Sequence, residues 1–172
     1  MKQSILLSFF SPGEWKTEYS KTELFSDLFE QWPELICIDC KNNKDPRSLK
    51  LLREADLTVV WLKQDPVLLK NFFEQFNRAD RNVIFIIYDY FELSDWNKSW
   101  LIQTYRIQEE QICVLPYNSR IGWLSEKGRL KQYLKSPCGN GISEYCSEFY
   151  WSFKEACRKI YQALTRSSGS FM

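Results

Sequence analysis

The fold is decided by two apolar runs, LTVVWL at residues 57–62 and VIFIIY at residues 83–88. Neither run alternates between apolar and polar side chains, which predicts strands buried on both faces, as in the centre of a parallel sheet. Between the two runs, from Asp65-Pro66 onward, apolar residues recur at helical spacing. A strand, a helix and a second strand in this order predict a right-handed βαβ unit.

The same alternation continues on both sides of this unit. Further strands are predicted at Ser4–Phe10, Leu35–Ile38 and Ile112–Leu115. Further helices are predicted at Thr22–Trp32, from Pro46, at Asp95–Tyr105, within Leu124–Leu134 and, most regularly, from Ile142 to Leu164. We therefore expect an α/β fold with three layers: a mostly parallel five-stranded sheet flanked by helices, with a long C-terminal helix. Residues 1–166 are predicted to form a single α/β domain, and residues 167–172 a flexible tail.

Composition excludes several classes of function. The chain has 172 residues, a net charge of +1 and no histidine. A nearly neutral chain does not favour nucleic acid as a partner. The absence of histidine removes Ser-His, Cys-His and His-metal chemistry.

The six cysteines are interpreted as reduced thiols, most of them buried. Cys37 and Cys40 form a CxxC motif, but no second CxxC supplies the remaining ligands of a zinc site. The apolar run Ile5–Phe10 is too short for a signal-peptide core or a membrane span. We therefore expect a cytoplasmic protein without a bound metal or a transmembrane segment; peripheral membrane association stays open.

Ligands of open parallel sheets bind beyond the carboxyl ends of the strands, so the residues there are the candidates for chemistry. Asp39 follows one apolar strand, in a position where nucleotide enzymes hold a Mg²⁺ water; the alternative is a loop cap without chemistry. A phosphate-binding loop should follow the first strand, where the chain has Ser11–Thr17. That segment ends in Lys16-Thr17, as such loops do, but has one glycine, whereas a phosphate cradle needs several.

The ordered segments from Leu35 to Tyr117 resemble the MinD/ParA group of deviant-Walker P-loop ATPases, and within it the TadZ/CpaE-like branch. The segments that carry the resemblance include an apolar strand ending in Asp39, the stretch LLREADLTVV at residues 51–60, the turn Gln64-Asp65-Pro66, and VLPYN at residues 114–118. The resemblance implies that Asp39 is the Mg²⁺-side carboxylate and that Asp89, Tyr117 and Asn118 lie near the adenine, as remnants of a nucleotide site.

The chain departs from this family at the phosphate-binding loop, which is missing. The Pro-Pro-Gly expected after Asp39 is also absent. We therefore expect no catalytic residues, no ATPase activity and no cofactor, with ATP and Mg²⁺ at most vestigial. The chain is either a naturally shortened relative, which a first strand close to Met1 favours, or part of a longer gene.

The predicted function is a pseudo-ATPase scaffold for localisation or assembly, for example of a pilus or secretion system, with a protein partner or a second copy as its partner. A receiver-like signalling domain is the alternative, although no acidic pair follows the first strand and no Lys-Pro follows the fifth. A different active enzyme using Asp39, Lys63 and Asp89 is a third hypothesis. Trp96 and Trp100, predicted on one helix face, form either a partner surface or part of the packing onto the sheet.

Overall fold

The computed structural model describes residues 5–10, 35–40, 46, 50, 53–75, 82–135 and 144–169. The Ser11–Thr17 loop, the predicted helix at Thr22–Trp32 and residues 170–172 of the predicted tail lie outside the described residues.

Within the described residues, five strands form one sheet in the order β2-β1-β3-β4-β5. They are β1 (Ile5–Phe10), β2 (Leu35–Asp39), β3 (Leu57–Lys63), β4 (Val83–Tyr90) and β5 (Ile112–Pro116). Every neighbouring pair is parallel. The carboxyl ends of all the strands therefore lie along one edge of the sheet, called the carboxyl edge below.

The helices whose bounds the structure gives are α1 (Pro66–Gln75), α2 (Lys98–Tyr105), α3 (Ser119–Glu126), α4 (Leu130–Lys135) and α5 (Glu144–Gly169), with a short 3₁₀ helix at Glu109–Gln111. The predicted α/β class, with a parallel sheet, flanking helices and a long C-terminal helix, is confirmed. No helix in the described part of the chain is both long enough and apolar enough to cross a bilayer.

Two separate apolar cores, one on each face of the sheet, explain why β3 and β4 are apolar throughout. Successive side chains of a strand point to opposite faces. Val59 and Trp61 of β3 therefore pack with Phe153 and Ile160 of α5. Val60 and Leu62 pack on the other face with α1 and α2, through residues that include Leu69, Phe73 and Leu101. The helices thus form a layer on each face of the sheet.

Two predicted helices have different bounds in the structure. The helix predicted at Asp95–Tyr105 begins only at Lys98, because the side chain of Asn97 accepts a hydrogen bond from the amide of Trp100 and caps the helix there. The segment Leu124–Leu134 contains parts of two helices, α3 and α4, rather than one. Gly128 separates them with a backbone φ of +64°, a conformation that glycine adopts without strain.

The C-terminal helix confirms the predicted apolar spacing. Its buried residues Phe149, Phe153, Ala156, Ile160 and Leu164 recur every three or four positions. The helix continues to Gly169, three residues into the segment predicted as a tail.

Candidate functional site at the carboxyl edge of the sheet

An ion pair joins the ends of β3 and β4. Lys63 Nζ lies 3.4 Å from Asp89 Oδ2, and the two side chains are 40% and 32% exposed, respectively. Asp89 has a backbone φ of 52°, and the register between β4 and β5 shifts between Ile87 and Tyr90. A shift of this kind redirects a side chain at a sheet edge, and aspartate tolerates the left-handed conformation better than most residues. Because the pair is partly solvated, its contribution to stability is about 0–1 kcal/mol.

Gln64 holds the β4–α2 loop, residues 91–97, against the end of β3. Its side-chain amide donates to the backbone oxygens of Phe91 and Trp96, both at 3.1 Å. Its side-chain oxygen accepts a hydrogen bond of 2.7 Å from the amide of Phe91. One side chain therefore fixes both ends of the loop.

The hydroxyl of Tyr90 also holds this loop, through two hydrogen bonds. It donates to Glu92 Oε2 at 2.7 Å and accepts from the amide of Lys98, the first residue of α2, at 2.8 Å. Burial raises the pKa of Tyr90 to about 12; the bond from the Lys98 amide acts against this rise, and Glu92 adds to it. Burial, with a smaller contribution from the Asp89 charge, also raises the pKa of Tyr88 to about 12. Both phenols are therefore neutral at physiological pH.

An exposed aromatic pair connects the β4–α2 loop with the residue after β5. The rings of Phe91 and Tyr117 stack with centroids 5.9 Å apart and an interplanar angle of 19°. The amide of Tyr117 donates to the backbone oxygen of Tyr90 at 3.3 Å, which extends the pairing of β4 and β5 by one bond. Both rings are more than half exposed.

Asn118 is the N-cap of α3. Its side-chain oxygen accepts a hydrogen bond of 3.0 Å from the amide of Arg120. Asparagine is among the preferred residues at this position because its side chain satisfies a helix amide that has no partner within the helix. The side chain of Asn118 therefore stabilises the start of α3.

Asp39 ends β2, at the border of the sheet and exposed to solvent. Strands β1 and β3 lie between β2 and β4, so three strand spacings, or roughly 14 Å, separate the lines of β2 and β4. Asp89, Tyr117 and Asn118 thus share the β4–β5 end of the carboxyl edge, whereas Asp39 lies towards its other end.

Trp96 and Trp100 contact each other, but they do not share a helix face. Trp96 precedes the cap of α2 and Trp100 lies in its first turn. The prediction that both are helical is therefore wrong, because Asn97 stops the helix between them. Their ring centroids are 4.2 Å apart, and Trp100 also contacts Tyr105. Both indoles are half-buried, which favours packing of the loop over a partner surface.

Cys37, Cys40, Cys113 and Cys157 are free thiols, and no metal-binding cluster of Cys, Asp or Glu occurs among the described residues. Burial raises the pKa of Cys37 to about 12. Burial also raises the pKa of Cys113 to about 11, against a lowering effect of Lys159. Both thiols are thus poor nucleophiles at neutral pH.

A buried lysine, Lys159, lies at the opposite edge of the sheet, called the amino edge below, and was not among the residues predicted from the sequence. Its Nζ donates to the backbone oxygens of Glu109 at 2.5 Å and Ile112 at 3.1 Å. It borders a cavity of about 120 Å³ at the start of β4 and β5, whose polar lining includes Asn82, Gln108, Gln111, Gln162 and Arg166. Helical spacing places Lys159 beside Ile160 on the buried side of α5, but no sequence pattern identifies the carbonyl groups that it binds.

No protein-family model matches the chain, and no curated protein matches it in sequence. Among solved structures, the chain is similar to a ParA family ATPase from Chlorobium tepidum TLS. The likeness covers 88% of this chain and 86% of that chain, at 9% sequence identity and a TM-score of 0.47. So distant a likeness assigns the chain neither a family nor an activity, and the resemblance to the MinD/ParA group remains a prediction.

Proposed function

We propose that the chain is a catalytically inactive MinD/ParA-like protein of the TadZ/CpaE-like type, a pseudo-ATPase that serves as a localisation or assembly scaffold, for example of a pilus or secretion system. The observation that carries the proposal is the use of polar groups at the carboxyl edge. Asn118 caps α3, Asp89 pairs with Lys63, and Gln64 holds the β4–α2 loop. Asp89 and Asn118, two of the side chains that the resemblance places near the adenine, are thus engaged in contacts within the chain.

The segment that would bind the phosphates of a nucleotide lacks the residues of a phosphate-binding loop. The segment Ser11–Thr17 has Gly13 as its one glycine, and Pro12 contributes no amide hydrogen. Glu14 adds a negative charge where phosphate oxygens would lie. Convergent backbone amides are the main source of phosphate affinity in such loops, so their loss supports a role without hydrolysis.

What the carboxyl edge offers instead is apolar surface. Phe91, Leu93 and Tyr117 are all large, apolar or aromatic, and exposed. Apolar groups that cluster on an ordered surface are typical of protein–protein contact sites. A scaffold uses such a surface to hold a protein partner.

Isothermal titration calorimetry with Mg-ATP tests the proposal. We expect no binding heat and no phosphate release. Micromolar binding accompanied by turnover would overturn the proposal, and its loss in Asp39→Asn would then assign the Mg²⁺-side role to that carboxylate. Asp65→Asn is the matched control, because Asp65 caps α1 through the amide of Leu68.

The receiver-like alternative is favoured by one observation, the strand order. The order 2-1-3-4-5 is the flavodoxin-like order that receiver domains share. Incubation with acetyl phosphate followed by intact-mass measurement tests this alternative. A phosphoryl adduct that Asp39→Asn abolishes would support signalling, and an unmodified chain would contradict it.

A further inference from the structure

The cavity at the amino edge, called the amino-edge cavity below, combines a buried cation with a polar lining. Lys159 borders the cavity, and its side chain is only 7% exposed. The lining comes from three parts of the chain: the start of β4, the segment around the 3₁₀ helix before β5, and one face of α5. The charged and carboxamide side chains that the last two parts contribute are Gln108, Glu110, Gln111, Lys159, Gln162 and Arg166.

The ammonium group of Lys159 has one hydrogen atom more than its acceptors use. An ammonium group donates three hydrogen bonds, and two of them go to the backbone oxygens of Glu109 and Ile112. The nearest carboxylate oxygens among the described residues, Glu109 Oε1 and Glu155 Oε1, each lie 3.9 Å from Nζ, which is beyond hydrogen-bond distance. The third hydrogen of this buried cation therefore has no acceptor in the described part of the chain. A ligand in the cavity that accepts it removes the cost of leaving a charged donor unsatisfied.

The two carboxylates near Lys159 already have cationic partners of their own. Glu109 pairs with Lys98, and Glu155 accepts two hydrogen bonds from the guanidinium of Arg158. Among the residues that the structure describes, this cluster thus contains three cations and two carboxylates, a surplus of one positive charge. Since buried charges require a counter-charge, the surplus favours a ligand with a single negative charge.

The lining favours a carboxylate over a phosphate. Arg166 contributes a guanidinium, whose planar fork matches the two oxygens of a carboxylate. Glu110 lines the same cavity, and its charge repels a phosphate group, which carries about 1.5–2 negative charges at pH 7, more strongly than a carboxylate. The carboxamides of Gln108, Gln111 and Gln162 can donate and accept hydrogen bonds, which suits a ligand with a hydroxyl or keto oxygen beside its carboxylate.

We infer that the amino-edge cavity binds a small 2-hydroxy or 2-keto carboxylate, with Lys159 and Arg166 as its cationic partners. The cavity volume of about 120 Å³ limits the ligand to a few atoms, since a cavity of about 150 Å³ accommodates benzene. Because its two cations belong to α5 and the rest of the lining to the sheet side, a bound carboxylate stabilises the packing of α5 on the sheet. The site lies at the edge opposite the surface proposed for protein contact, so the inference does not depend on the proposed function.

A titration of the full chain with glycolate, followed through its backbone amide resonances by NMR, tests the inference. At pH 7 and constant ionic strength, we expect the resonances of residues 108–111 and 159–166 to shift and to saturate in the millimolar range, as befits so small a ligand. Glycolamide, which has the same size and no charge, is the control ligand and should produce no saturating shifts. Inorganic phosphate is the second comparison and should bind more weakly than glycolate.

Two substitutions in the lining should change the affinity in opposite directions. Arg166→Gln should weaken glycolate binding roughly tenfold or more, the effect of losing a charge-assisted hydrogen bond. Arg166 is exposed, so this substitution should leave the fold intact, and Arg120→Gln, at an exposed arginine of α3 outside the lining, is the matched control. Glu110→Gln should strengthen binding, because it removes a negative charge from the lining. An unfolded variant could not produce this gain.

A wild type whose resonances show no saturating shift with glycolate would overturn the inference, as would equal shifts with glycolamide. An affinity that Arg166→Gln and Arg120→Gln change equally would also overturn it. Tighter binding of phosphate than of glycolate would overturn the assignment to a carboxylate. These outcomes are separate from the proposed loss of ATPase activity: Mg-ATP turnover by a protein that still binds glycolate at the amino edge would contradict the pseudo-ATPase and leave this inference standing.

Discussion

The two edges of the sheet use their polar side chains in opposite ways. At the amino edge, Lys159 is buried and donates to two backbone oxygens, which attaches α5 to the start of β5. At the carboxyl edge, Gln64 and Tyr90 hold a loop whose tip, Leu93, is almost fully exposed. The hydrogen bonds of the amino edge thus stabilise the packing of α5 on the sheet, and those of the carboxyl edge order an exposed loop. Substitutions at the first edge should affect the stability of the fold, and substitutions at the second should affect the order of the loop.

The largest effect is expected for Lys159→Met, which removes both bonds to backbone oxygens and leaves the buried oxygen of Ile112 without this donor. The free energy of unfolding should fall by about 2–4 kcal/mol, the cost of breaking buried hydrogen bonds to a charged group. Urea denaturation followed by circular dichroism measures it. Lys70→Met on the exposed side of α1 is the control and should change stability by less than about 0.5 kcal/mol. Equal losses in the two variants would contradict a stabilising role of the amino edge.

A smaller effect on stability, of about 1–2 kcal/mol, is expected for Gln64→Ala, because the backbone groups that it releases lie near the surface and can bond to water. Amide hydrogen exchange should accelerate at Phe91, whose amide bonds to Gln64. The control is Gln103→Ala on the exposed side of α2. Unchanged exchange at Phe91 would show that Gln64 does not hold the loop.

The smallest effect concerns pH. The pKa of Tyr88 and of Tyr90 is raised to about 12 in the folded chain, whereas an unfolded tyrosine titrates near 10. Between about pH 10 and pH 12 the tyrosine of the unfolded state has released its proton, whereas that of the folded state retains it. The stabilisation that each phenol contributes is therefore complete below about pH 10 and is lost as the pH rises towards about 12. Tyr88→Phe and Tyr90→Phe should each make the decline less steep in denaturation curves recorded across this range. Tyr161→Phe, exposed on α5, should not.

The sequence predicted the central layers of the fold because their pattern is strong. Runs without a polar alternation, such as residues 57–62, have few stable arrangements other than a strand buried on both faces. The C-terminal helix was predicted for a similar reason, since its apolar spacing extends over many turns. The bounds of the helices were less predictable. The side chain of Asn97 caps α2, so the helix begins at Lys98 and Trp96 lies before it.

The candidate site was predictable only in part. That Asp89, Tyr117 and Asn118 share one edge follows from the rule that parallel strands end together, and the structure places them there. The separation of Asp39 from this group depends on strand order, which a single sequence does not specify. Contacts between side chain and backbone, such as those of Gln64 and Lys159, depend on tertiary geometry and have no local pattern.

The central claim is the proposal that the carboxyl edge of the sheet is a surface for protein contact and not a nucleotide site. The most direct measurement follows the backbone amide resonances of residues 91–95 and 117–120 by NMR during a titration with Mg-ATP. We predict that these resonances remain in place. Shifts at these residues that saturate with Mg-ATP would contradict the proposal.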